Sequence, residues 1–114
     1  MILEGDIVLF RFPQADFAQG KLRPALLLRK IPNEYGDWLI CMVSTQLHQQ
    51  KDRLEIIVST SDPEFAGTGF KRSSLIRSSR IAVVNEDIFE GKLGSMTTAK
   101  LREIRERFSN WLCS

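Results

Sequence analysis

Apolar residues in this chain come in short runs, separated by polar segments rich in turn formers. Ile7 to Phe12 is built from branched and aromatic residues, the composition of a strand. Pro13 to Leu22 is a polar loop with Gly20 near its end, and Pro24 to Arg29 is a buried apolar strand. Pro32 to Asp37 carries Pro, Asn, Gly and Asp and makes a connection. Trp38 to Thr45 is a strand, apolar until Ser44 and Thr45. Gln46 to Asp52 is a polar loop, Leu54 to Ser59 a strand, and Ser61 to Gly69 a loop holding Pro63, Gly67 and Gly69. Ser73 to Arg77 and Ile81 to Val84 read as two short strands split by polar residues. Glu86 to Lys92 fits a helical turn or a strand equally well.

The period changes at the end. Leu101, Ile104, Phe108 and Leu112 recur at helical spacing with Trp111 beside them, which predicts a helix from about Thr98 to Leu112. Thr97 is its expected N-cap, and Met96 is placed to pack on Leu101 as a staple. Arg102 with Glu106, and Glu103 with Arg107, are spaced to pair on the wet face. Many short strands followed by one helix predict a mainly β fold, an SH3-like small barrel of antiparallel strands with a C-terminal helix covering one face or end. A chain of 114 residues fits one domain, 1–114, without linker or repeat.

An apolar share of 43% supports a globular core and excludes a disordered chain. No apolar run approaches the roughly 20 residues of a membrane helix, and the start lacks the pattern of a signal peptide. Cys41 lies in an apolar strand and Cys113 in the tail, so both are expected as free thiols in a reducing cytoplasm. A net charge of +2 does not by itself imply nucleic acid. Its distribution says more, because Lys71, Arg72, Arg77 and Arg80 fall together and no acid lies between Glu64 and Glu86. Such a stripe is either a solvated strand face or a track for a polyanion.

No Gly-rich phosphate loop and no nucleophile elbow occur. His48 is the single histidine, in a polar loop, where a surface position is expected. No Cys, His and acid residues have metal-ligand spacing. An enzyme on this chain is therefore expected to work without a bound metal or cofactor and without a His–acid pair.

Arg23, directly before Pro24, asks for an explanation. Proline keeps the preceding residue extended and supplies no N–H to a ladder. Arg23 is thus expected at a strand entrance with its guanidinium leaving the sheet. A permanent cation with forked donors on a rigid base suits phosphate, although an exposed arginine that only starts a strand has the same pattern.

Four segments together resemble one family. Gly5-Asp6-Ile7-Val8, Lys21-Leu22-Arg23-Pro24-Ala25-Leu26, Val43-Ser44-Thr45-Gln46 and Gly69-Phe70-Lys71-Arg72-Ser73-Ser74-Leu75-Ile76-Arg77 look, in order and spacing, like the MazF/PemK toxins. Lys92-Leu93-Gly94-Ser95-Met96 before the helix agrees. The resemblance implies a homodimeric, ribosome-independent endoribonuclease that cuts single-stranded RNA, mainly mRNA, arrests growth, and is blocked by a cognate antitoxin. Carried over, the family's catalytic arginine and hydroxyl are Arg23 and Ser44, with Thr45 the neighbouring alternative.

In such a reaction the 2′-hydroxyl beside the scissile phosphate attacks, leaving a 2′,3′-cyclic phosphate and a 5′-hydroxyl. The protein must hold the attack in line and stabilise charge on the phosphoryl oxygens. Arg23 is suited to the second task, and Ser44 to a hydrogen bond with the phosphate or the 2′-oxygen. Ser44 is also suited to a backbone hydrogen bond at a strand end. The expected RNA-binding residues are Lys21, Phe17, Gln46, Lys71, Arg72, Arg77 and Arg80, with Phe17, Phe70 and Trp38 as surfaces for stacking bases. The loops Gln14–Leu22 and Gln46–Asp52 are expected to set sequence preference.

The chain departs from the family pattern where branches carry acids, at Ala18 and Ser74, and it has Ser44 where threonine is common. Two other functions fit the residues. One is a module that binds RNA, DNA or protein without turnover. The other is a dimer that holds an antitoxin-like partner or regulates its promoter. More apolar surface than one small barrel can bury makes a homodimer the expected state. The antitoxin is expected to bring an acidic, partly disordered tail.

Overall fold

The computed structural model describes residues 1–11 and 21–114. Six antiparallel strands form one curled sheet, a half-barrel, and a C-terminal helix packs against it. The strands are β1 (Asp6–Arg11), β2 (Leu22–Lys30), β3 (Asp37–Ser44), β4 (Glu55–Val58), β5 (Ser74–Asn85) and β6 (Gly91–Ser95). The helices are α1 (Phe65–Thr68) and α2 (Thr98–Leu112). Sheet order is β4-β5-β3-β2-β1-β6. The expected mainly β class with a terminal helix is therefore present.

Side-chain alternation divides the core between the two faces. One face gathers Ile7, Leu26, Leu28, Cys41, Val43, Ile56, Val58 and Ile76, with Leu101 and Ile104 of α2 and Met96 just before it packed in the same cluster. The other gathers Val8, Phe10, Ala25, Leu27, Trp38 and Ile40. Burial inside the first cluster pushes the Cys41 thiol up to about 12, so it stays protonated and unreactive at neutral pH.

The segments Ser73–Arg77 and Ile81–Val84, read from the sequence as two strands, fall on one, β5, which starts at Ser74. β5 pairs Arg77 with Met42 and then Ile81 with Cys41, so Ser78, Ser79 and Arg80 bulge out between them. The polar bulge looked like a break because its partners are distant in sequence. Ser78 is fully buried and donates to the Leu54 carbonyl, and Ser79 Oγ lies 3.0 Å from Asp52 Oδ2. The bulge divides β5, whose first half lies between β4 and β3 while its second half pairs with β3.

Two further segments are more ordered than expected. The Ser61–Gly69 loop contains α1, and Glu86–Lys92 is a 3-10 turn that leads into β6. Gly69 and Gly94 let α1 and β6 meet backbone to backbone. A Cβ on Gly94 would lie 2.4 Å from the Thr68 carbonyl oxygen, and one on Gly69 2.2 Å from that of Leu93. Gly69 also takes φ +77°, which disfavours any side chain.

The helix spans the expected residues. Thr97 Oγ1 accepts from the Lys100 amide at 3.2 Å, and the Arg102–Glu106 and Glu103–Arg107 pairs form. Its last turn differs from expectation: Trp111 and Leu112 are 47% and 63% exposed, because burial on α2 stops at Ile104 and only partly covers Phe108. With Ile81, Leu54 and Arg53 they line an open groove of about 610 Å³.

Glu4 ties α2 to the sheet. Its carboxylate accepts from Arg105 at 2.8 Å, from the Lys30 amide at 3.1 Å and from Arg29 at 3.5 Å. Burial pushes its pKa up, but the Lys30 amide and the two guanidiniums outweigh that and hold it below its ordinary 4.5. A depressed folded pKa contributes stability that is present above the unfolded value and lost as pH falls through the folded one. Glu4→Gln should therefore cost about 1 kcal/mol at pH 7, a difference that shrinks and then vanishes as pH falls through the depressed folded pKa of Glu4, measured by urea denaturation across an acid pH series.

Candidate functional site

Proline explains where Arg23 ends up. β2 pairs with β3 through Ala25 opposite Met42 and Leu26 opposite Cys41, and the ladder stops at Ala25. Pro24 has no N–H with which to extend it. On the other side β2 stays paired with β1, Pro24 opposite Leu9 and Arg23 opposite Phe10. Arg23 is therefore one residue inside the strand rather than at its mouth, and it is exposed.

The same register, carried on two residues, brings Arg23 level with Ser44. Opposed residues of an antiparallel pair share a face. Alternation puts Arg23 with Ala25 and Leu27, and Ser44 with Ile40 and Met42, on the face of the second core cluster. The two sequence-predicted catalytic residues thus fall at the same end of that face, two positions beyond the last paired residues of the ladder. Ser44 is half-buried, and its Oγ accepts from the Gln46 amide at 3.0 Å.

Thr45 faces elsewhere. It lines a cleft of about 320 Å³ with Phe70, Lys71, Arg72 and Leu93. Phe70 and Leu93 are half-buried against the first core cluster, on the opposite side of the sheet from Arg23. Lys71 and Arg72 are exposed, and among the described residues neither has an ion pair within 4 Å.

The four clustered cations do not form one stripe. Lys71 and Arg72 are at the cleft, and Arg80 is on the bulge of β5, about 20 Å of strand further on. Arg77 donates from Nε to Glu55 Oε2 at 2.7 Å, with Glu55 only 2% exposed. Glu55 also accepts from the Lys51 amide at 3.1 Å. Residues 65–85 hold no acid, but β4 brings Glu55 alongside Arg77 from 22 residues upstream, a partner that local sequence does not show. An acid inside the apolar run Leu54–Val58 was the available signal. Arg77 lies opposite Met42, so this pair occupies the same face as Arg23 and Ser44, one row away.

Lys21 and Gln46 are exposed beside Arg23 and Ser44. His48 is exposed, as expected, in a 3-10 turn over Leu47–Gln49. Trp38 is buried, donating to Glu86 at 3.0 Å with Lys30 over its ring, and offers no stacking surface. Ser74, a position noted in the sequence for lacking an acid, is buried and donates to the Arg72 carbonyl at 2.9 Å. Phe17 and Ala18 lie outside the described residues. Among the described residues no group of His, Cys, Asp and Glu side chains could hold a metal, and no helix is long and apolar enough to cross a membrane.

Removing Glu55 takes the 2.7 Å carboxylate partner from a largely buried guanidinium. Glu55→Ala should cost about 3 kcal/mol, and Glu55→Leu combined with Arg77→Met should recover part of that loss, read from urea midpoints.

A family model described as PemK-like, MazF-like toxin of type II toxin-antitoxin system matches residues 3–112. No curated protein matches the chain.

Proposed function

The chain belongs to the PemK-like, MazF-like toxins of type II toxin–antitoxin systems, and from that premise we propose that it is an endoribonuclease that cleaves single-stranded RNA, chiefly mRNA, in the cytoplasm. A toxin of such a system has an antitoxin partner in general. What supports the nuclease reading is that strand alternation puts exposed Arg23 and half-buried Ser44, from separate strands, at the same end of one face.

RNA supplies its own nucleophile, so the reaction asks the protein for positioning and charge stabilisation rather than for a metal. Arg23 takes the scissile phosphate through paired N–H donors and offsets the charge that grows on its oxygens. Ser44 orients the phosphate or the 2′-oxygen. Lys21 adds a nearby cation, and Gln46 an amide for a base edge. Glu55 pairs with Arg77 one row away, so that ion pair shapes the edge of the site rather than adding an available cation. The products are a 2′,3′-cyclic phosphate and a 5′-hydroxyl.

One observation favours a second reading, an RNA-binding module without turnover. The Ser44 hydroxyl already serves the Gln46 amide, a strand-end role that needs no substrate.

A homodimer is part of the proposal. Exposed Ile81, Val83, Trp111 and Leu112 offer apolar surface that a second copy can cover. Sedimentation at micromolar concentration should give a dimer for the wild type; a monomer removes this part.

The nuclease is tested by incubating the purified protein with total RNA in EDTA and sequencing new 5′-hydroxyl ends. We expect ends sharing a short motif, and Arg23→Ala should reduce the cleavage rate about 100-fold or more. Shifted but uncut RNA from a folded protein would leave the binding module standing instead.

A further inference from the structure

Glu55 is an acid in the apolar run 54–58, and its side chain is 1% exposed. Its two carboxylate oxygens serve different elements. Oε2 accepts from Arg77 Nε at 2.7 Å, and Oε1 accepts from the Lys51 amide at 3.1 Å. A buried ion pair adds little net stability over apolar side chains of similar volume. Stability is therefore a weak account of Glu55, and position is a better one.

Strand register shows what is being positioned. Glu55, Arg77, Met42 and Ala25 lie in one row across β4, β5, β3 and β2. Ser44 is two residues from Met42 on β3, hence on the same face. The loop 46–52 leaves β3 beside Ser44 and returns just before Glu55, and it is fastened at both ends. At the start, the Gln46 amide donates to Ser44 Oγ at 3.0 Å. At the return, the Lys51 amide donates to the Glu55 carboxylate, and the Gln50 side chain donates to the Glu55 carbonyl at 2.9 Å. Asp52 Oδ1 accepts from the amides of Leu54 and Glu55 at 2.9 and 3.1 Å, and Asp52 Oδ2 lies 3.0 Å from Ser79 Oγ on the bulge of β5.

We propose that Glu55 is a positioning residue, an inference that rests on the nuclease reading for the reaction it serves. One oxygen sets the end of the 46–52 loop and the other sets Arg77, so loop and ion pair keep one spacing beside Ser44. Glu55 itself touches no RNA. In-line attack tolerates little displacement, and a loop ordered in advance lowers the cost of binding. A neutral amide cannot replace the carboxylate, because its one oxygen serves one partner while its NH2 turns donors toward the other.

The test compares wild type with Glu55→Gln, which is nearly isosteric. Cleavage of total RNA in EDTA is followed at saturating protein by counting new 5′-hydroxyl ends with time. Affinity for a random-sequence 12-nucleotide 2′-O-methyl RNA is read by anisotropy, and hydrogen exchange is followed over 46–52. We expect faster exchange in the loop, affinity within about twofold of wild type, and a cleavage rate about 10- to 100-fold lower. Val58→Ala, on the other face of β4, is the stability control: its thermal midpoint should fall while its rate at saturation holds. Lys51→Pro removes the loop donor and leaves Glu55 and Arg77 in place. Gln50 before it is already extended, at φ −63° and ψ 111°, as a residue preceding proline is. It should show the same split between rate and affinity, which keeps the inference testable if Glu55→Gln does not fold. An unchanged rate in either folded variant, beside a wild type that cuts, overturns the positioning role and leaves the nuclease standing. A wild type that binds but never cuts overturns the nuclease, and loop exchange then decides: faster exchange in Glu55→Gln supports the clamp, and unchanged exchange overturns it.

Discussion

The antiparallel register that holds β2 between β1 and β3 is the constraint on which this molecule depends. It sets Leu26 and Leu28 against one core and Ala25 and Leu27 against the other. It also sets Arg23 opposite Phe10 and level with Ser44. Because the side-chain period of a strand is two, a slip of one residue would exchange both sets at once. The core faces and the candidate site therefore have a single structural cause. Two apolar clusters resist any other register, and the cation at the site is held by that resistance.

Electrostatics divides the site more sharply than sequence distance does. Arg72 and Arg77 are five residues apart, yet one is exposed at a cleft and the other is locked to a buried carboxylate. A buried ion pair contributes little net stability after desolvation, but it fixes the direction of a charge. Lys71 and Arg72 keep their full hydration until something anionic arrives. The same chain thus carries cations that shape the fold, as Arg77 and Arg105 do, and cations that remain available.

Much of the fold was legible because it rests on local rules. The bounds of α2 followed from a threonine cap and a 3.6-residue period, and its cap bond and wet-face pairs form as their spacing requires. The β strands followed from apolar runs between turn formers. Other features were hidden. Ser78 to Arg80 look like a break, yet Ser78 is satisfied by the Leu54 carbonyl of another segment and the strand continues. Trp111 and Leu112 keep the helical period although the sheet beneath α2 no longer covers them. Glu55 could be matched to Arg77 only once β4 and β5 were paired.

The sequence alone determined that this chain is a small, mainly β domain with a capped terminal helix, and it named Arg23 and Ser44 as residues to watch. Propensity, capping and period act over a few residues, so they survive being read in one dimension. The tertiary structure decided that Ser44 and Thr45 serve opposite sides of the sheet, that Arg77 is neutralised by Glu55, and that Lys71 and Arg72 are not. These outcomes depend on strand register and on which distant backbone approaches which, and Gly69 against Leu93 shows how close that approach is. Long-range pairing is selected by the burial of the whole core, and no local segment contains that information.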